Sequence, residues 1–159
     1  MDKMLQLSRL KAVREVIKTE RIINPAKFNM SIGISDCGTI GCIAGWTVIT
    51  FVPPTDPRWE ERYNRVLTLR DWCYTSEIAG NLLGINVRLT GWLFMLNRNG
   101  RYSYNIIPPE LNNDISFIPS SSNNIDAVNE EGLKRLDHYI SLVKKYTEEE
   151  LRYKELINY

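Results

Sequence analysis

Residues 36–46 read Asp36-Cys37-Gly38-Thr39-Ile40-Gly41-Cys42-Ile43-Ala44-Gly45-Trp46, a run that an ordinary composition does not produce. It holds two of the chain's three cysteines and three of its nine glycines. Thr39 is a suitable N-cap, and the apolar residues behind it continue as helix to about Phe51. On that reading Cys42 lies in the first turn, where free backbone N–H groups and the positive end of the dipole lower a thiol's pKa. Gly41, Ala44 and Gly45 are small enough for another backbone to approach closely, so the helix belongs at the centre of the fold. Pro53-Pro54 ends it.

Upstream, Leu7, Leu10, Val13 and Ile17 recur at three- and four-residue steps, while Arg9, Lys11, Arg14 and Lys18 take other faces. That is an amphipathic helix from about Met4 to Arg21, closed by Asn24-Pro25. Downstream, residues 59–70 fit a helix, with a strand as the alternative for Arg65–Leu69. Thr75 or Ser76 can cap a short helix over Glu77–Leu83, with Gly84 as its C-terminal glycine. Asn86 can cap the next helix, Val87–Leu96. Residues 101–124 are irregular: Tyr102-Ser103-Tyr104-Asn105-Ile106 alternates like a short strand, then Pro108-Pro109 and Ser120-Ser121-Ser122 follow. A connection of this length is usually functional or mobile. The last element, from about Asp126 to Asn158, places Leu133, Leu136, Ile140 and Val143 at helical spacing, and Thr147 can start a second helix within it.

With 159 residues the chain suffices for one domain with its own core. The expected fold is mainly α, a single-domain bundle of about five to seven helices over residues 1–159, with room for a β-hairpin near Tyr102–Ile106. A formal net charge of +1 argues against a general polyanion binder. The longest apolar run, Leu89–Leu96, is too short for a membrane span. Three cysteines, an odd number, argue against a disulfide framework and for the reducing cytosol.

Phe28-Asn29-Met30, the CGTxxCxxGW signature of residues 37–46, Leu82-Leu83-Gly84-Ile85 with Leu93-Phe94, and Arg135-Leu136-Asp137-His138-Tyr139-Ile140 carry a resemblance. Together they resemble a family of small uncharacterised proteins encoded by phages and bacteria, over about two thirds of the chain. The stretches 52–73 and after Arg101 depart from the pattern. The resemblance implies an intact domain of phage type, working in the host cell cytosol, and no particular activity.

Four site readings compete. Cys37, Cys42, Cys73 and His138 have the ligand count of a Cys3His zinc site, and the first pair has C-x4-C spacing. Cys73 and His138, however, stand alone in sequence, and cysteine is often buried with no metal. Cys42 with His138 as base would make a thiol hydrolase or transferase, with the Cys-then-His order of papain-like enzymes. Asp137 points about 100° away from His138 on a helix and is a poor partner to orient it; Asn124 or Asn158 could serve as the third member. Residues 77–94 have the outline of a helix-turn-helix, but the second helix is apolar on nearly every face and offers only Arg88. Lastly, Tyr102, Tyr104 and Phe117 put aromatic anchors on the irregular segment, which suits protein binding.

No catalytic set is complete, so the preferred reading is a small cytosolic accessory protein that acts by macromolecular contact and carries no cofactor. Its partner would be a protein, with host takeover or inhibition of a defence system as the setting the resemblance implies. Cys37, Thr39, Gly41, Gly45 and Trp46 then serve as scaffold. The enzyme using Cys42 and His138 is the competing reading.

Overall fold

The protein is described by a computed structural model over residues 1–30, 41–52, 72–94, 111 and 124–157. Among these residues lie six α-helices: α1 (Lys3–Ile23), α2 (Ile43–Phe51), α3 (Trp72–Leu83), α4 (Val87–Phe94), α5 (Ile125–Lys145) and α6 (Glu148–Tyr153). A single 3-10 turn, Pro25–Lys27, follows α1. The described residues form no sheet, and their extended pairing consists of two isolated bridges, Phe28 with Gly41 and Ile85 with Ile157. The chain is therefore mainly α, as its apolar spacing predicts. Residues 59–70 and the hairpin expected near Tyr102–Ile106 lie outside the described residues, as does the irregular segment except Leu111, which is buried, and Asn124.

α1 starts where the Asp2 carboxylate accepts from the Met4 backbone N–H (2.6 Å), filling one of the free donors of a helix start. Its inward stripe is Gln6, Leu10, Val13 and Ile17. α5 runs antiparallel to it. Arg14 pairs with Asp137, Arg21 with Glu130, and Lys3 Nζ donates to the Tyr146 carbonyl, so residue numbers fall on one helix as they rise on the other. Between these charged edges Leu136, Tyr139 and Val143 of α5 join Leu10, Val13 and Ile17 in one core cluster. Each such side chain removed from water contributes about 1.5–3 kcal/mol.

α2 is the central helix. Six successive residues, Ile43 to Val48, are buried, which covers every face of the first turn and a half. Its start differs from the sequence expectation. The helix begins at Ile43 with Cys42 as N-cap, not at Thr39, which itself lies outside the described residues. The reason is upstream pairing: Gly41 forms the bridge with Phe28, and Cys42 is still extended at φ −77°, ψ −174°. A backbone held in that geometry cannot also be helical.

α3 also begins earlier than expected. It spans Trp72–Leu83, so Thr75 and Ser76 are interior helix residues and not caps. Both are buried, and packing of α3 against α2 outweighs their weak preference for helix ends. The turn into α4 follows the sequence reading. Gly84 takes φ +64°, the left-handed conformation glycine supplies at a helix C-terminus, and the Asn86 side chain accepts from Arg88 N–H (3.0 Å). α1 then closes the end of α3: Arg9 Nη1 donates to Leu82 O (2.6 Å), and Gln6 Nε2 donates to Leu83 O (3.0 Å) and Gly84 O (3.2 Å). Carbonyls that a helix end leaves unpaired are thus satisfied from another helix.

The last expected element divides. α5 ends at Lys145, and Thr147 starts α6 with a reciprocal capping box to Glu150. α6 stops at Tyr153, five residues before the expected Asn158. Glu155 takes φ +53° there, and Leu156 folds back into the core.

Candidate functional site

Cys42 sits at a three-way joint. Gly41 N–H donates to Lys27 O (3.1 Å) and Asn29 N–H donates to Gly41 O (3.1 Å), which ties residues 27–29 to the start of α2. One turn into α2, the Trp46 indole N–H donates to the same Lys27 carbonyl (3.2 Å). From the other side α5 supplies Asn129, whose Oδ1 accepts from Met30 N–H (2.9 Å) and whose Nδ2 donates to Phe28 O (3.0 Å). The joint brings Gly41, Cys42, Gly45 and Trp46 together, and all four are buried.

The Cys42 side chain is fully shielded from water. Burial pushes its thiol up to about 11, with the backbone N–H groups of Gly45 and Ala44 pulling more weakly in the other direction. The lowered pKa expected from a helix N-terminus is therefore reversed. Exclusion from water penalises the thiolate by more than the helix end favours it. At neutral pH this burial holds the thiol in its protonated form, a small apolar side chain with a weak donor.

His138 is half-buried on α5, beside Asp137, whose carboxylate takes both ends of a fork from Arg14 (2.7 and 3.0 Å). Asp137 thus serves α1, in keeping with its poor placement to orient a histidine. Asn124, considered as a third member, instead caps α5 by accepting from Ala127 N–H (3.1 Å). Asn158 lies outside the described residues, as do Cys37, Thr39, Tyr102, Tyr104, Phe117 and the Cys73 side chain. Among the described residues no three metal-binding side chains cluster.

Two features went unread in the sequence. Asn129 is one; nothing in a helical heptad marks which asparagine turns inward. The other is a buried ion pair, Glu131 Oε1 with Arg135 Nε (3.1 Å), in which the side chains are 5% and 11% exposed. Arg135 Nη1 also donates to Trp92 O in the last turn of α4 (2.8 Å), and its guanidinium lies 5.7 Å from the Trp92 ring centre. The i, i+4 spacing of Glu131 and Arg135 was a visible signal, but it reads equally as a solvated pair. In the fold it clamps the end of α4 to α5. These are the two helices that flank residues 95–124, the stretch bearing Tyr102, Tyr104 and Phe117.

The α3–α4 hairpin buries Leu89, Thr90, Trp92, Leu93 and Phe94 of α4. Arg88, the basic residue a recognition helix would offer, pairs with Glu155 (2.9 Å). Among the described residues no helix is long and apolar enough to cross a membrane. Compared with known proteins, the chain matches no family model, no curated protein and no solved structure.

Proposed function

We propose that this chain is a small helical binding protein that acts through contact with another protein, by way of Tyr102, Tyr104 and Phe117 on the segment between α4 and α5. The observation that carries the reading is the state of Cys42: a fully buried thiol pushed up to about 11 lacks the thiolate that the competing hydrolase or transferase needs. The clamp of Arg135 on the end of α4 adds support, because contacts are commonly made by connecting segments held on a rigid frame. The phage-type setting, with host takeover or inhibition of a defence system, follows from the resemblance of residues 37–46 and is part of the proposal.

The test is a triple substitution, Tyr102→Ala, Tyr104→Ala and Phe117→Ala, assayed by cross-linking in cells against the unaltered chain. Loss of one specific cross-linked partner with an unchanged melting temperature is the expected result. Undiminished cross-linking would show that the contact surface lies elsewhere. Thiol-dependent turnover abolished by either Cys42→Ser or His138→Gln would establish the enzyme in its place.

A further inference from the structure

α1 carries a second stripe, on the side turned away from the core. Met4, Ser8, Lys11, Glu15, Lys18 and Ile22 follow one another at alternating steps of four and three residues, the repeat of a coiled-coil seam. All six are exposed, Met4 at 69% and Ile22 at 77%, while the buried stripe from Gln6 to Ile17 takes the opposite face. The helix is continuous from Lys3 to Ile23, so Met4 and Ile22 stand about 27 Å apart along one line. Apolar residues occupy both ends of that line, where Leu5 and Ile23, also exposed, widen them. Charged residues occupy the middle, with Lys18 Nζ 3.7 Å from Glu15 Oε2 in the same helix.

We propose that this stripe is a contact between two copies of the chain, laid antiparallel along α1 about a twofold axis at the level of Val13. Under that symmetry Met4 meets Ile22 of the second copy, Ser8 meets Lys18 of the second copy, and Lys11 meets Glu15 of the second copy, each pairing occurring twice. The stripe is complementary to its own reverse: apolar on apolar at both ends, opposite charges in the middle. A parallel arrangement would set Lys11 on Lys11, Glu15 on Glu15 and Lys18 on Lys18, and like charges face to face repel. Charge therefore selects the antiparallel one. Association is weak, because exposed ion pairs contribute little and one pair of helices makes a small interface. The surface shares no residue with Tyr102, Tyr104 and Phe117, so each proposal can fail alone.

The test is sedimentation equilibrium of the full chain in low salt, where charge pairs are least screened. The unaltered chain should pass from one copy at ~1 µM to two copies at ~500 µM, the range of a weak interface. Lys11→Glu alone and Glu15→Lys alone each set like charges across the axis, so each should weaken association about tenfold. An equimolar mixture of the two variants recreates both opposite-charge pairs and should restore it. Ile22→Asp should abolish association with an unchanged melting temperature, because that side chain is exposed in the single copy. A chain that stays single at ~500 µM, charge variants that associate as well as the unaltered chain, or a mixture no better than its components overturns the proposal. Capture of the single copy by phosphatidylglycerol vesicles, with no self-association, would give the stripe to a lipid surface in its place.

Discussion

At Cys42 a helix end and a dry core act in opposite directions on one sulfur. A helix N-terminus favours a charge by about 0.3–1 kcal/mol, whereas raising a thiol to about 11 corresponds to roughly 3 kcal/mol against the thiolate. Burial wins. At pH 7 we expect Cys42 to resist iodoacetamide in the folded chain and to react fully in urea, as read by intact mass. Equal rates in both states would mean that the sulfur is exposed. Glu155 shows the converse, a residue in a position it does not suit. Glu155→Gly relieves a left-handed cost of about 1 kcal/mol and gives up an exposed ion pair with Arg88 worth a few tenths, while glycine's freedom in the unfolded chain takes back part of the gain. The melting temperature should rise by about 1–2 °C. A fall would show that the ion pair outweighs the backbone term. Neither outcome was legible in the sequence: Thr39 looks like a cap and Cys42 like a first-turn residue until the bridge between Phe28 and Gly41 is known.

Among the elements, α6 and the Asn129 joint respond to different challenges. The Thr147 backbone N–H donates to the Glu150 carboxylate (2.7 Å) and the Thr147 hydroxyl adds a second bond (3.0 Å), holding the Glu150 pKa below its ordinary value. A carboxylate whose pKa is lower folded than unfolded stabilises above the unfolded value, and that contribution fades as pH falls through the folded one. Carboxyl NMR should therefore show Glu150 titrating below a model glutamate, and the first turn of α6 should fray as it does. With Thr147→Ala the downward shift should shrink without vanishing, because the backbone N–H of residue 147 still donates to the carboxylate; no change would remove the hydroxyl from the account. Asn129→Leu is harsher. It strands the Met30 N–H and the Phe28 carbonyl in the core, at about 1–3 kcal/mol each. Chemical denaturation should show a loss of about 2–5 kcal/mol, and a loss below 1 kcal/mol would mean that water replaces the amide. The capping of α4 and α6 could be read directly, because Asn86, Gly84 and Thr147 act on neighbours two or three residues away. The joint could not, since its partners are about a hundred residues apart.

Across the whole molecule, the stripe Leu10-Val13-Ile17 and the stripe Leu136-Ile140-Val143 announced two amphipathic helices, and their antiparallel packing forms one seam of the core. What the spacing could not announce was the return of Leu156 and Ile157, two apolar residues after a charged helix that read as its continuation. The polar atoms beneath them, on Gln6 and Tyr139, gave no signal either, because a glutamine on an amphipathic helix normally faces water. The seam has a consequence for how the protein is made. Arg14 and Asp137 are separated by 123 positions, so the side of α1 that faces α5 lacks that cover until α5 has been synthesised. At about 5–20 residues per second the ribosome leaves that side bare for about 6–25 seconds. An uncovered apolar stripe invites association, so translation, more than the finished fold, is the stage at which this side of α1 is open to aggregation.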